Sequence, residues 1–225
     1  MKFDLIPAIN VDDFEEVEKR IKSVEPFVNP AAGGAGWVQL DITDGTFTKN
    51  TTWHNAEDLL SLKTPLKIEV HLMINDIEER IDEWLIAPVN RIIFHLEAAK
   101  DPDFVIGKCR EAKKEVGIAI GPDTPWTQLV PFLKKVDLIQ ILGVYPGLAG
   151  QEFQEDCFDK IRHLRKEYPK CIIEVDGGMD KETAKKAVAA GTNIIIAASA
   201  IFSAKGGSAS GWDDIKKAIE NLKHV

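Results

Sequence analysis

Apolar, β-branched residues gather in short runs along this chain, at 4–9, 37–42, 67–73, 91–95, 116–120, 138–142, 171–176 and 193–197. Runs of this length bounded by turn residues predict buried strands. Between them lie charged segments with apolar positions at helical spacing, at 13–24, 76–85, 102–114, 158–168 and 181–190. A last segment of the same kind, 211–222, follows the eighth run. Strands that alternate with helices predict parallel pairing through crossover connections. Eight units in 225 residues give 225/8, about 28 residues each, which suits one βα repeat. Closed on themselves, they form a (β/α)₈ barrel, expected as one domain over 1–225. An open doubly wound sheet is the alternative. No Gly-x-Gly-x-x-Gly follows the first run and no Walker-type lysine loop occurs, so closure is favoured.

Composition narrows the choice of partner. With 28 Lys+Arg against 36 Asp+Glu, the net charge is −8. That balance argues against nucleic acid and against an anionic membrane surface, but not against a small anion held by backbone amides. Hydrophobic residues at 44% beside 28% charged residues exclude a disordered chain. Cys109, Cys157 and Cys171 are odd in number and widely spaced, which predicts idle thiols. The N-terminus lacks an apolar signal core, and no apolar stretch reaches the roughly 18 residues of a membrane span. A soluble, cytoplasmic protein is expected. Two segments fall outside the repeat. The Pro/Gly/Ala-rich join 25–36 is expected as a loop on the N-terminal face of the barrel or, alternatively, a partner surface. The segment 203–211 reads as a flexible loop.

Polar residues near the ends of the runs carry the candidate chemistry. Side chains alternate along a strand, so Gln39, Asp41 and Thr43 share one face, and Leu40 and Ile42 the other. Helices cover the outside of such a barrel, so the polar set faces inward. The same rule turns His71 and Asp176 inward. Gln39, Asp41, His71 and Asp176 should then meet at the C-terminal rim, where barrels of this type place their chemistry. Two carboxylates and an imidazole with no cation among them repel unless positive charge intervenes. A divalent metal would supply it, and this mixture of donors suits Zn, Fe, Mn or Co.

Small residues predict an anion site. Gly147, Leu148, Ala149 and Gly150 follow the sixth run, Gly177 and Gly178 the seventh, and Ala198 and Ser199 the eighth. Such loops let backbone N–H groups approach a phosphate, and those after strands seven and eight are the usual phosphate cradle of this fold.

Together these segments resemble the ribulose-phosphate 3-epimerase family along nearly the whole chain. Pro7-Ala-Ile-Asn-Val-Asp-Asp-Phe14 is similar to the family's opening motif, and Leu40-Asp-Ile-Thr-Asp-Gly-Thr-Phe47 to the motif of its second strand. Val70-His-Leu-Met73, Phe94-His-Leu-Glu-Ala98, Gly121-Pro-Asp-Thr-Pro125, Val144-Tyr-Pro-Gly-Leu-Ala-Gly-Gln151, Val175-Asp-Gly-Gly178 and Ala197-Ala-Ser-Ala-Ile-Phe202 have counterparts in the same order. The resemblance implies epimerisation of ribulose 5-phosphate and xylulose 5-phosphate at C3. It implies Asp41 and Asp176 as catalytic acid and base, and a divalent metal on Asp41, His71 and Asp176. It also implies a sugar phosphate as the small-molecule partner and assembly into a homo-oligomer. Gln39 stands where the family has its first His ligand, so weaker metal binding or a harder ion such as Mn or Mg is expected. Ala8 replaces a serine near the substrate. Thr43 and Leu142 replace pocket methionines, leaving Met73. Thr46 and Lys49 replace a His and a Pro of the next loop, where His54 is an added residue expected at the surface. These changes leave two further readings open: a barrel acting on another ketose phosphate, with or without metal, and a non-catalytic sugar-phosphate binder.

Overall fold

The computed structural model describes residues 3–28, 36–86, 88–147, 151, 153–204, 207–208 and 212–225. Its eight parallel strands hydrogen-bond in chain order and close into one barrel. They are β1 (Asp4–Ile9), β2 (Trp37–Thr43), β3 (Lys67–Met73), β4 (Val89–His95), β5 (Glu115–Ile120), β6 (Leu138–Leu142), β7 (Ile173–Asp176) and β8 (Ile194–Ala197). The helices are α1 (Phe14–Val28), α2 (Ile77–Trp84), α3 (Pro102–Glu111), α4 (Asp156–Glu167), α5 (Lys181–Ala190), α6 (Ser199–Phe202) and α7 (Trp212–Lys223). The closed barrel replaces the open-sheet alternative, and the chain is a single-domain (β/α)₈ barrel.

Each helix reaches the barrel through a narrow apolar stripe. In α1, Val17, Ile21, Val24 and Val28 are buried, and in α2, Ile77, Ile81 and Trp84. These positions recur at three- and four-residue spacing, so they lie on one side of each helix. They meet the outward strand residues, such as Val38, Leu40 and Ile42. Burying one such side chain contributes roughly 1.5–3 kcal/mol, so this outer layer dominates the stability.

The inside of the barrel is divided. Ile6, Ala8, Ile93, Ala119, Leu138, Leu142, Ile194 and Ile196 form an apolar cluster there. Polar residues fill the other part, and all of Gln39, Glu69, Gln140 and Glu174 are fully buried. Arg91 answers the charge at the N-terminal end of the barrel. Its Nη1 donates to Glu69 Oε2 at 2.6 Å and its Nη2 to Glu115 Oε2 at 2.6 Å. Its guanidinium lies 3.9 Å from the centre of the Trp37 ring.

Several boundaries differ from the sequence reading. Helix α1 continues to Val28 through Pro26 instead of ending near residue 24. Pro26 lacks an N–H, but it sits in the last turn, where a single lost bond is tolerated because Val28 still packs inward. Residues 25–28 of the expected loop are therefore helical, and 29–35 lie outside the described residues. The β2–β3 and β5–β6 connections carry short 3₁₀ turns, Ala56–Ser61 and Trp126–Leu129. Within the expected loop 203–211, Ser203–Ala204 and Gly207–Ser208 pair as antiparallel strands, and the rest lies outside the described residues. All three cysteines are free, and burial pushes the thiols of Cys109 and Cys157 up to about 12.

Candidate active site

The register of the barrel decides which side chains meet. Asp41 on β2 pairs with His71 on β3, and Leu142 on β6 with Asp176 on β7. All three polar residues point inward at the C-terminal rim. One oxygen or nitrogen of each of Asp41, His71 and Asp176 lies within 4.8 Å of the others, and this is the group able to hold a metal among the described residues. His71 Nδ1 is 3.5 Å from Asp41 Oδ1 and 3.4 Å from Asp176 Oδ2. It makes no hydrogen bond to either, although it is fully buried.

The far side of that imidazole explains its orientation. His71 Nε2 lies 3.0 Å from His95 Nε2, and His95 Nδ1 lies 3.2 Å from Glu97 Oε2. Glu97 Oε1 accepts the Gly121 N–H at 2.7 Å and the Thr124 hydroxyl. Burial alone would raise the Glu97 carboxyl, but His95 and these donors hold it at about 2. A charged Glu97 favours a proton on His95 Nδ1 and a second on His71 Nε2. That leaves His71 Nδ1, the atom an ion would take in place of a proton, facing the two carboxylates. A ligand imidazole whose other nitrogen is anchored through a hydrogen bond is the usual support of a metal site. The donor set therefore fits a divalent ion. Burial works against a charged His71, but Asp176 and Asp41 outweigh it and raise its pKa to about 10. Burial, with the charge of Asp176, raises the Asp41 carboxyl.

Gln39 is oriented against its expected role. Its Nε2 donates to Asp41 Oδ1 and to Asp176 Oδ2, both at 2.8 Å. Its Oε1, the atom that could ligate, accepts from Gln140 Nε2 at 3.0 Å. Gln140 Nε2 also donates to Glu174 Oε1 at 2.9 Å. All four amide hydrogens are thus used, and turning either amide over would set an oxygen against a carboxylate. In this arrangement Gln39 serves as a donor that bridges the two carboxylates.

Above the cluster opens a cavity of about 230 Å³. Met73, Gly147, Gly177, Gly178, Ala198 and Ser199 line it, as the sequence placed them. Ala8 does not line it: its side chain is buried in the apolar interior beside Gln39. Two residues further on, just past the end of β1, Asn10 takes that place and reaches Asp41 Oδ2 with its Nδ2 at 3.5 Å. Leu148, Ala149 and Gly150 lie outside the described residues. Thr43 is turned to Thr52, and His54 is exposed. The glycines are required by geometry. Gly177 has φ +93°, and a Cβ there would meet Val144 Cγ2 at 2.6 Å. Gly147 has φ +118° and would meet Asn50 Oδ1 at 2.7 Å. Asn10 and Arg20 also line the cavity, and His95 and Gln140 brace His71 and Gln39 beneath it; none of the four was expected at the site from the sequence. Strand alternation could have found His95 and Gln140, each a polar residue on an inward position; nothing local marks Arg20.

Comparison with known proteins places this geometry in context. The family model described as the ribulose-phosphate 3 epimerase family matches residues 4–202. The chain is 32% identical over 205 residues to the ribulose-phosphate 3-epimerase of Schizosaccharomyces pombe, covering 89% of this chain and 87% of that one. It is 34% identical over 208 residues to the same-named protein of Treponema pallidum, covering 89% and 92%. Among solved structures, a mutant tryptophan synthase α-subunit from Pyrococcus furiosus superposes over 100% of both chains with a TM-score of 0.70 at 16% identity, a likeness of fold alone. No described helix is long and apolar enough to cross a membrane. The matched length and identity, taken with the rim cluster, establish that this chain belongs to the ribulose-phosphate 3-epimerase family.

Proposed function

We propose that this chain, a sugar-phosphate 3-epimerase, interconverts D-ribulose 5-phosphate and D-xylulose 5-phosphate by proton transfer between Asp41 and Asp176. The observation that carries the reading is the pair of carboxylates at one cavity floor, supplied by strands that β1 and β8 separate. Epimerisation needs a proton taken from one face of C3 and another delivered to the opposite face. With the sugar between them, one aspartate takes the C3 proton while the C–H electron pair moves into the C2 carbonyl to give an enediolate. The other aspartate, holding a proton, delivers it from the opposite side. In the reverse direction the roles exchange.

The Gln39 amide holds both carboxylates in place through its two N–H groups. Asp41, His71 and Asp176 would hold a divalent ion, with Zn, Fe, Mn or Co as candidates. Bound there, the ion supplies positive charge to the ketose oxygens, stabilising the developing enediolate by several kcal/mol. Gly147, Gly177, Gly178, Ala198 and Ser199 anchor the phosphate with backbone N–H groups, joined by Leu148, Ala149 and Gly150 in the same reading. The reading also includes a cytoplasmic setting and a homo-oligomer, as the family implies. The test is coupled turnover of ribulose 5-phosphate by the wild type and by Asp176→Asn. The wild type turns over, and the variant, with an unchanged melting profile, loses about 10²–10⁴ in kcat. An undiminished variant would overturn the two-aspartate scheme.

A further inference from the structure

We propose that Arg20, on α1, is a phosphate-binding residue of this site, gripping the substrate's dianionic end beside the turn after β8. The inference rests on the sugar-phosphate reading above and deepens it. Its basis is position and charge. Among the described residues that line the cavity, Arg20 is the one Lys or Arg. Asp41 and Asp176 line the same cavity, in a chain of net charge −8. A phosphate in that space shares it with two carboxylates, and backbone amides supply only partial positive charge. A full cation beside the small-residue loops removes the mismatch.

The side chain is built to reach there. Helix α1 follows β1, so its N-terminal turn lies at the catalytic rim. Side chains on a helix lean toward its N-terminus, which carries the Arg20 head up from the middle of α1 toward that rim. Two contacts then hold it. The guanidinium lies 4.9 Å from the centre of the Phe202 ring, in the short helix that begins at Ser199. Its Nε donates to Glu16 Oε1 at 3.1 Å. Among the described residues the Nη groups have no hydrogen-bond partner, and the side chain is 29% exposed. Nη groups left free on a guanidinium fixed at its Nε and its face are suited to two parallel bonds to a phosphate. The ordinary alternative is a surface i,i+4 pair with Glu16, which would leave ligand binding indifferent to Arg20.

The test is steady-state epimerase kinetics on ribulose 5-phosphate with inorganic phosphate as competitive inhibitor, for the wild type, Arg20→Gln and Arg20→Lys. We expect Arg20→Gln to raise KM by about ten- to a hundredfold with kcat within about threefold, and to weaken phosphate inhibition by a similar factor. Arg20→Lys falls between, because it keeps the charge and loses the fork. Circular dichroism and melting of each variant report folding separately. Unchanged KM and unchanged phosphate inhibition in a folded Arg20→Gln would overturn the assignment, as would a loss confined to kcat. A wild type that neither turns over ribulose 5-phosphate nor is bound by it would overturn the parent reading instead.

Discussion

Gln39 shows how much one side chain's direction can decide. On the inward face of β2 it occupies a position from which an imidazole would reach the cluster, yet it presents a nitrogen to both carboxylates. An N–H donor favours charged carboxylates but offers an ion no lone pair. Replacing it with an imidazole should add a fourth donor to the three already in place. Gln39→His is therefore expected to raise metal occupancy at limiting metal, read by elemental analysis. Equal occupancy in the two proteins would separate Gln39 from the ion site. The inward face of Gln39 was legible in the sequence from alternation alone. Its orientation was not, because that is set by Gln140, 101 positions away. Arg20 was illegible for a related reason: beside Glu16 it looks like an ordinary helix-surface charge, and only the closure of the barrel brings Phe202 to it.

At the scale of elements, loops and strand ends hold the chemistry in register. The segment after β4 is the clearest case. Glu97 ties His95, and through it His71, to the segment after β5 at Gly121 and Thr124. Its folded pKa of about 2 lies below its ordinary value of 4.5. A depressed carboxyl stabilises the fold fully above about pH 4.5 and loses that contribution as pH falls toward 2. Glu97→Gln should thus be less stable than wild type by about 1–3 kcal/mol at neutral pH, with the gap closing between pH 4.5 and 2 in denaturant titrations. A gap that persisted unchanged to pH 2 would deny the charged role of Glu97. The turn after β7 makes a second case. Gly177→Ala must place a Cβ at φ +93° and 2.6 Å from Val144. It should cost about 1–3 kcal/mol in unfolding free energy and raise KM, since the same turn lines the cavity. Full stability in that variant would contradict the stated geometry.

Across the whole molecule, the eightfold repeat was readable because each strand is a β-branched run and each helix carries a narrow apolar stripe. Boundaries were less readable where packing overrides local preference, as in the continuation of α1 past Pro26. The buried polar ladder of Gln39, Gln140 and Glu174 and the Arg91 cluster also escaped: the Gln39–Gln140 contact joins β2 to β6, and the others depend on the exact register between neighbouring strands. What the barrel achieves as a unit is to bring Asp41 and Asp176, 135 positions apart by 176 − 41, onto one cavity floor. Turnover of ribulose 5-phosphate in D₂O, followed by proton NMR, tests that pairing most directly. Proton exchange through two opposed carboxylates should give xylulose 5-phosphate carrying one solvent deuterium at C3 from the first turnovers. Product that keeps its original C3 proton would contradict it.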